Sequence, residues 1–204
     1  MEHAVISPSA AHRWIPCPGS VALTKDLPDT QSDHAAEGTL AHSICELKLR
    51  KYFGITKPGD KKPMGPRKYK AEMDKLKEDA LYQPEMDGYT DIYVDCIKDA
   101  ANSFSTAPAV FIEQRVNLSE YIPGGFGSAD CILIHGDTLY VYDFKYGKGV
   151  PVAAKNNPQM RLYALGAYLM YREFWNIRQV RMTIVQPRRQ NICEDSLSIE
   201  ELLD

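Results

Sequence analysis

Asp130, Asp143 and Lys145 are the residues whose types and spacing suit them to act together on a charged substrate or a metal ion. The segment between the two carboxylates reads as a β-hairpin. Two β-rich runs, Ala129–His135 and Thr138–Lys145, flank Gly136-Asp137, a glycine-first pair suited to a two-residue type I′ or II′ turn. That turn sets His135 opposite Thr138 and, counting back along both strands, Asp130 opposite Asp143. Directly opposed residues leave the same face of a sheet with Cα atoms roughly 4.5 to 5.5 Å apart, where like charges repel. A shared proton or a bound cation is the usual remedy. Lys145 points to that same face by the two-residue period. Ile132, Ile134, Leu139 and Val141 share it, while Cys131, Leu133, Tyr140, Tyr142 and Phe144 line the other, so both faces read as buried. Carboxylates among apolar neighbours are costly unless paired or metal-bound, which favours a site over a solvated surface.

The elements that position these residues follow from capping and periodicity. Ser7-Pro8 opens a helix, with serine as N-cap and proline at the first position, running to about Ile15 before Pro16-Cys17-Pro18-Gly19 ends it. A longer helix over about Asp33–Tyr52 carries the apolar stripe Ala36, Leu40, Ile44 and Leu47, leaving His42, Cys45 and Glu46 to one side. After a Pro, Gly and Lys-rich loop, helices over about Arg67–Leu81 and Pro84–Ser103 complete a helical insert. A strand over Ala109–Val116, alternating and carrying Glu113, leads through the flexible Gly124–Gly127 stretch into the central hairpin. Asn157-Pro158 starts a helix to about Phe174, and Gln179–Gln186 reads as another strand. The order predicts one α/β (α+β) domain, helical over about 7–105 and sheet-based over about 109–190, with a mixed, mostly antiparallel sheet flanked by helices. Ser198–Glu201 has the pattern of a capping box with little chain after it, so a truncated chain is expected.

Bulk properties narrow the class. With 204 residues there is enough chain for a substantial core, and a net charge of -3 makes no general case for a polyanionic partner. Local charge does better: Lys57–Lys70 holds six basic residues against one acid, and Arg178, Arg181, Arg188 and Arg189 form a second basic group. A basic lip of this kind suits a phosphodiester substrate. The N-terminus lacks the basic segment and apolar run of a signal peptide, and no stretch approaches the roughly 20 apolar residues of a membrane helix. Five scattered cysteines suggest reduced thiols and a cytoplasmic protein rather than a disulfide framework.

Taken together, Asp130, Asp143-Phe144-Lys145 and Gln159-Met-Arg-Leu-Tyr163 resemble the RecB-like branch of the PD-(D/E)XK nuclease superfamily. Ser7–Arg13 leading to Cys17-Pro18 is similar to that branch's opening helix, and Glu37-Gly-Thr-Leu-Ala-His42 to its histidine motif. The resemblance runs from Ser7 to Tyr163 and is nearest to phage-encoded or prophage-encoded exonucleases. It implies a restriction-endonuclease-like core and magnesium- or manganese-dependent hydrolysis of DNA in phage recombination, replication or repair. It also implies roles. Asp130, Asp143, the Phe144 carbonyl and His42 bind metal; Lys145 orients or helps deprotonate the attacking water; Glu113 is a further metal or water ligand; Gln159 and Tyr163 contact DNA and brace the site. Some members hold an iron–sulfur cluster through a cysteine placed like Cys17 and three more downstream. Only Cys193 follows here, so a cluster is not supported within these residues. A catalytically silent DNA-binding module and an endonuclease remain the alternatives. His12, His34 and His135 lack a motif and read as structural or surface residues.

Overall fold

The computed structural model describes residues 6–24 and 32–204. Helices α1 (Ala11–Trp14), α2 (Gly19–Thr24), α3 (Asp33–Phe53), α4 (Pro66–Lys77) and α5 (Glu85–Ser103) precede strands β1 (Ala109–Asn117), β2 (Phe126–His135) and β3 (Thr138–Phe144). Helix α6 (Pro158–Tyr171) then leads to β4 (Gln179–Gln186), β5 (Asn191–Ser198) and α7 (Ile199–Leu203). The sheet order is β1-β2-β3-β4-β5, with β3 and β4 parallel across the α6 crossover and every other pair antiparallel. Mixed, mostly antiparallel and helix-flanked, this is the expected α+β architecture.

Apolar residues on both sheet faces make it three layers. On one face Leu40, Ile44, Leu47, Met86, Tyr93 and Ile97 of the N-terminal helices bury Cys131, Leu133, Tyr142 and Phe144. On the other, Met160, Tyr163, Ala164 and Ala167 of α6 bury Ile132, Ile134, Leu139, Val141 and Ile184. The β2–β3 turn places His135 opposite Thr138, and the positive φ falls on Gly136 alone (+61°), the type II′ pattern. Asn157 caps α6, its side chain accepting from the Met160 amide, with Pro158 at the first position. Ser198 and Glu201 form the expected capping box of α7.

Four features depart from the sequence expectation. The Ser7 helix opens as a 3-10 turn, Pro8–Ala10, and the serine side chain makes no cap, its hydroxyl lying against that of Ser9 at 3.1 Å. Helix α2 follows a Pro/Gly stretch expected to be loop. Strand β5 also went unread, because Asn191–Ser198 is polar on its exposed side. The fourth concerns β1 and β2. Val110 and Ile112 pack toward α3–α5, yet Val116, in the same phase, packs toward α6; likewise Leu133 and Cys131 face α3–α5 while Ala129 faces α6. Pairing stays in register on both sides, Ile112 with Cys131 and Gln114 with Ala129. Both strands therefore turn over at the intervening residues, Glu113 and Asp130. The cause lies in β1: Glu113 has φ +50°, the left-handed region that non-glycine residues rarely enter.

Two contacts lock the layers. Arg188, after β4, donates to Glu37 of α3 (3.3 Å) and Glu85 of α5 (3.2 Å), with its guanidinium 4.5 Å above the Tyr146 ring. Gly166 lets α6 lie directly on β1: a Cβ there would stand 2.8 Å from Val116 Cβ. Gly166→Ala is expected to destabilise the fold by about 1–3 kcal/mol, measured as a lower denaturant midpoint; an unchanged midpoint would mean that α6 has slack against the sheet.

Candidate metal centre

The site forms beneath α3 and α6 where β3 runs out, beside the midpoints of β1 and β2. Because the hairpin ladder ends at Cys131 and Tyr142, the next residues, Asp130 and Asp143, are free to use their side chains. Asp130 Oδ2 accepts the Phe144 amide at 2.7 Å, standing in for a strand carbonyl. Its Oδ1 lies 3.3 Å from His42 Nδ1, and the His42 ring meets Phe144 edge-on at 5.3 Å. Glu113 reaches the same place by its left-handed turn, accepting from the Ser128 hydroxyl at 3.1 Å. Ligand atoms of His42, Glu113 and Asp130 lie within 4.8 Å of one another, the one such group among the described residues.

Asp143 belongs to a second, adjoining set. Lys145 Nζ is 3.1 Å from Asp143 Oδ2 and donates to Gln159 Oε1 at 2.9 Å. Gln159 Nε2 donates to Asp143 Oδ1 (3.1 Å) and to the Tyr163 hydroxyl (3.2 Å), so the first turns of α6 brace the lysine and its carboxylate together. Asp143 Oδ2 is buried and accepts no well-oriented hydrogen bond. The expected hairpin register holds as far as Cys131 and Tyr142, one pair short of Asp130 and Asp143; each carboxylate has its own partners, and Glu113 rather than Asp143 completes the tightest donor group. For Phe144, the amide is the atom tied to Asp130.

Electrostatics tie the two sets into one unit. Burial raises the Glu113 carboxyl, Asp130 beside it adds to the rise, and His42 opposes it, leaving it at about 7. Burial alone would lower His42, but the charge and hydrogen bond of Asp130, backed by Asp143 and Glu113, raise it to about 9. Burial pushes Asp130 up, yet His42 and the Phe144 amide hold it below the usual carboxylate range. Asp143 is raised by burial and by Asp130 against the pull of Lys145. Two carboxylates and an imidazole, half-buried and crowded together, have the donor chemistry for a divalent cation, with oxygen ligands suited to magnesium or manganese.

A cleft of about 480 Å³ opens onto this group, lined by Ser7, Thr39, Glu113, Arg115, Phe126 and Tyr163 among others. Tyr163 closes it by lying over Gly127, where a Cβ would stand 2.9 Å from the ring. Arg115 is stacked 3.7 Å above Phe126 at its edge, a pairing without a sequence motif to announce it. Part of the expected basic lip has acidic partners: Lys57 pairs with Glu72, Lys68 with Asp60 and Lys70 with Asp74, while Arg188 is turned inward. Cys17 is exposed beyond α1, and Cys193 donates its thiol to the Val152 carbonyl at 3.3 Å. His135 stacks on Phe104, in keeping with a structural role.

Among solved structures, one described as the crystal structure of SSO0001 is similar at 14% identity and a TM-score of 0.34, over 79% of each chain, a likeness too distant to carry an argument. The family comparison is extensive. A model described as "Protein of unknown function (DUF2800)" matches residues 3–204, and the chain belongs to that family.

Proposed function

We propose that this protein is a metal-dependent DNA exonuclease that hydrolyses phosphodiester bonds, acting in phage recombination, replication or repair. The observation that carries the reading is the adjacency of the His42–Glu113–Asp130 donor group to the Asp143–Lys145–Gln159–Tyr163 brace. A magnesium or manganese ion held there supplies Lewis-acid relief of charge on the phosphoryl oxygens and makes bound water a better nucleophile. His42, Glu113 and Asp130 would hold it, with Asp143 alongside. Lys145, half-buried and held by Gln159 and Asp143, would orient the attacking water and offset charge on the scissile phosphate. Tyr163 and the stacked Arg115–Phe126 pair offer aromatic and cationic surfaces to a strand entering the cleft.

A catalytically silent DNA-binding module is the weaker alternative, because each residue that the catalytic reading needs, from His42 to Lys145, is present and gathered at one place. An endonuclease of the same superfamily differs in its substrate, and a closed circular DNA separates the two: an exonuclease leaves it intact.

Three outcomes are expected. Purified protein degrades linear DNA with magnesium or manganese and stops with EDTA. Lys145→Ala lowers the rate about 100-fold or more while leaving the unfolding midpoint near that of the parent; full activity in this variant would sink the assignment. Manganese at about 100 times its Kd stabilises the fold by about 2.7 kcal/mol in thermal unfolding; Asp130→Asn and His42→Ala each abolish most of that gain. A gain that survives in both variants places the cation elsewhere.

A further inference from the structure

Glu113 belongs to the donor group only because its backbone is left-handed. In ordinary strand geometry it would follow Ile112, which faces α3, by facing α6, and its carboxylate would be buried among apolar residues away from His42. A left-handed φ at a non-glycine residue costs of the order of 1–3 kcal/mol and persists only where its surroundings impose it. The neighbour that grips the backbone at this point is Arg50, on the last turn of α3. Its side chain is almost fully buried, and Nη2 donates to the Ile112 carbonyl, immediately before the turnover, at 2.9 Å. Nη1 donates to the Thr56 carbonyl at 3.0 Å, and Nε to Glu46 at 2.7 Å. The planar fork is thus fixed by helix and loop on one side and grips β1 on the other.

We infer that Arg50 is a positioning residue of the metal centre: by holding the Ile112 carbonyl it keeps Glu113 left-handed and its carboxylate beside His42 and Asp130. The inference deepens the metal-dependent reading and rests on it only for its metal arm. Arg50 itself does not reach the reacting atoms; it acts through Glu113. Lysine, whose three donors sit on one nitrogen, cannot span the three acceptors that the separate nitrogens of the guanidinium reach.

A double-mutant cycle on unfolding, without added metal, tests the first half. If Arg50 holds Glu113 against strain, Arg50→Met lowers the denaturant midpoint more in a Glu113→Gly background than in the parent, because only in the parent does relaxation of the left-handed residue return part of what is lost. Strict additivity overturns the inference. Manganese affinity, read by the loss of the free ion's electron paramagnetic resonance signal, tests the second half. Arg50→Lys, the milder change should Arg50→Met fold poorly, is expected to weaken binding about tenfold or more while the folded fraction stays high. Parent-like affinity in folded Arg50→Lys overturns the positioning role. If the parent protein binds no manganese at all, the metal-dependent reading fails, and non-additivity in the cycle still upholds Arg50 as the support of Glu113.

Discussion

The Asp130 carboxylate takes the place of a backbone acceptor for the Phe144 amide, and most of the site's geometry follows from that substitution. A buried strand amide must find an acceptor, and at the end of a hairpin ladder none is supplied by the partner strand. Asp130 satisfies it, which fixes the carboxylate at the sheet's end and leaves its second oxygen facing His42. A charged acceptor in that position makes a strong hydrogen bond. It also concentrates negative charge where Glu113 and Asp143 already lie, and the raised His42 and Glu113 are the response. Fold and electrostatics are not separable here, since the bond that finishes the sheet also sets the field of the site.

From that corner the two helical layers contribute differently. The α3 layer brings His42 on a helix packed against Phe144, so its placement is governed by the core. The α6 layer brings Gln159 and Tyr163 through the close approach that Gly166 and Gly127 permit. Donor group and brace meet because the sheet between them turns over at Glu113 and Asp130. An untwisted continuation of β1 would leave Glu113 on the wrong side.

Much of this was legible in sequence. The hairpin register was, because a two-residue turn with glycine first leaves no freedom in pairing. The α6 start was, because Asn157-Pro158 states both cap and first turn. Asp143, Lys145, Gln159 and Tyr163 come together as the resemblance implied, being local to β3 and one crossover. The left-handed Glu113 was not, since glycine is the usual marker of such backbone and none is present. Arg50 was not, although an arginine between Leu47, Leu49 and the following turn is a buried charge that needs partners. The ion pairs of Lys57, Lys68 and Lys70 were not legible either, because sequence gives charges without their counter-charges.

Arg188 bears on how the site comes into being. By joining Glu37 at the start of α3, Glu85 at the start of α5 and the ring of Tyr146, next to Lys145, it fastens the histidine-bearing layer to the lysine-bearing strand end. Neither half of the chain can assemble the donors alone, and the latch is contributed by residues far along the chain from both. Completion of the candidate centre therefore depends on the whole topology. A chain emerging from synthesis carries His42 long before Arg188, so the latch between the histidine-bearing layer and the end of β3 closes only once the last strands have docked.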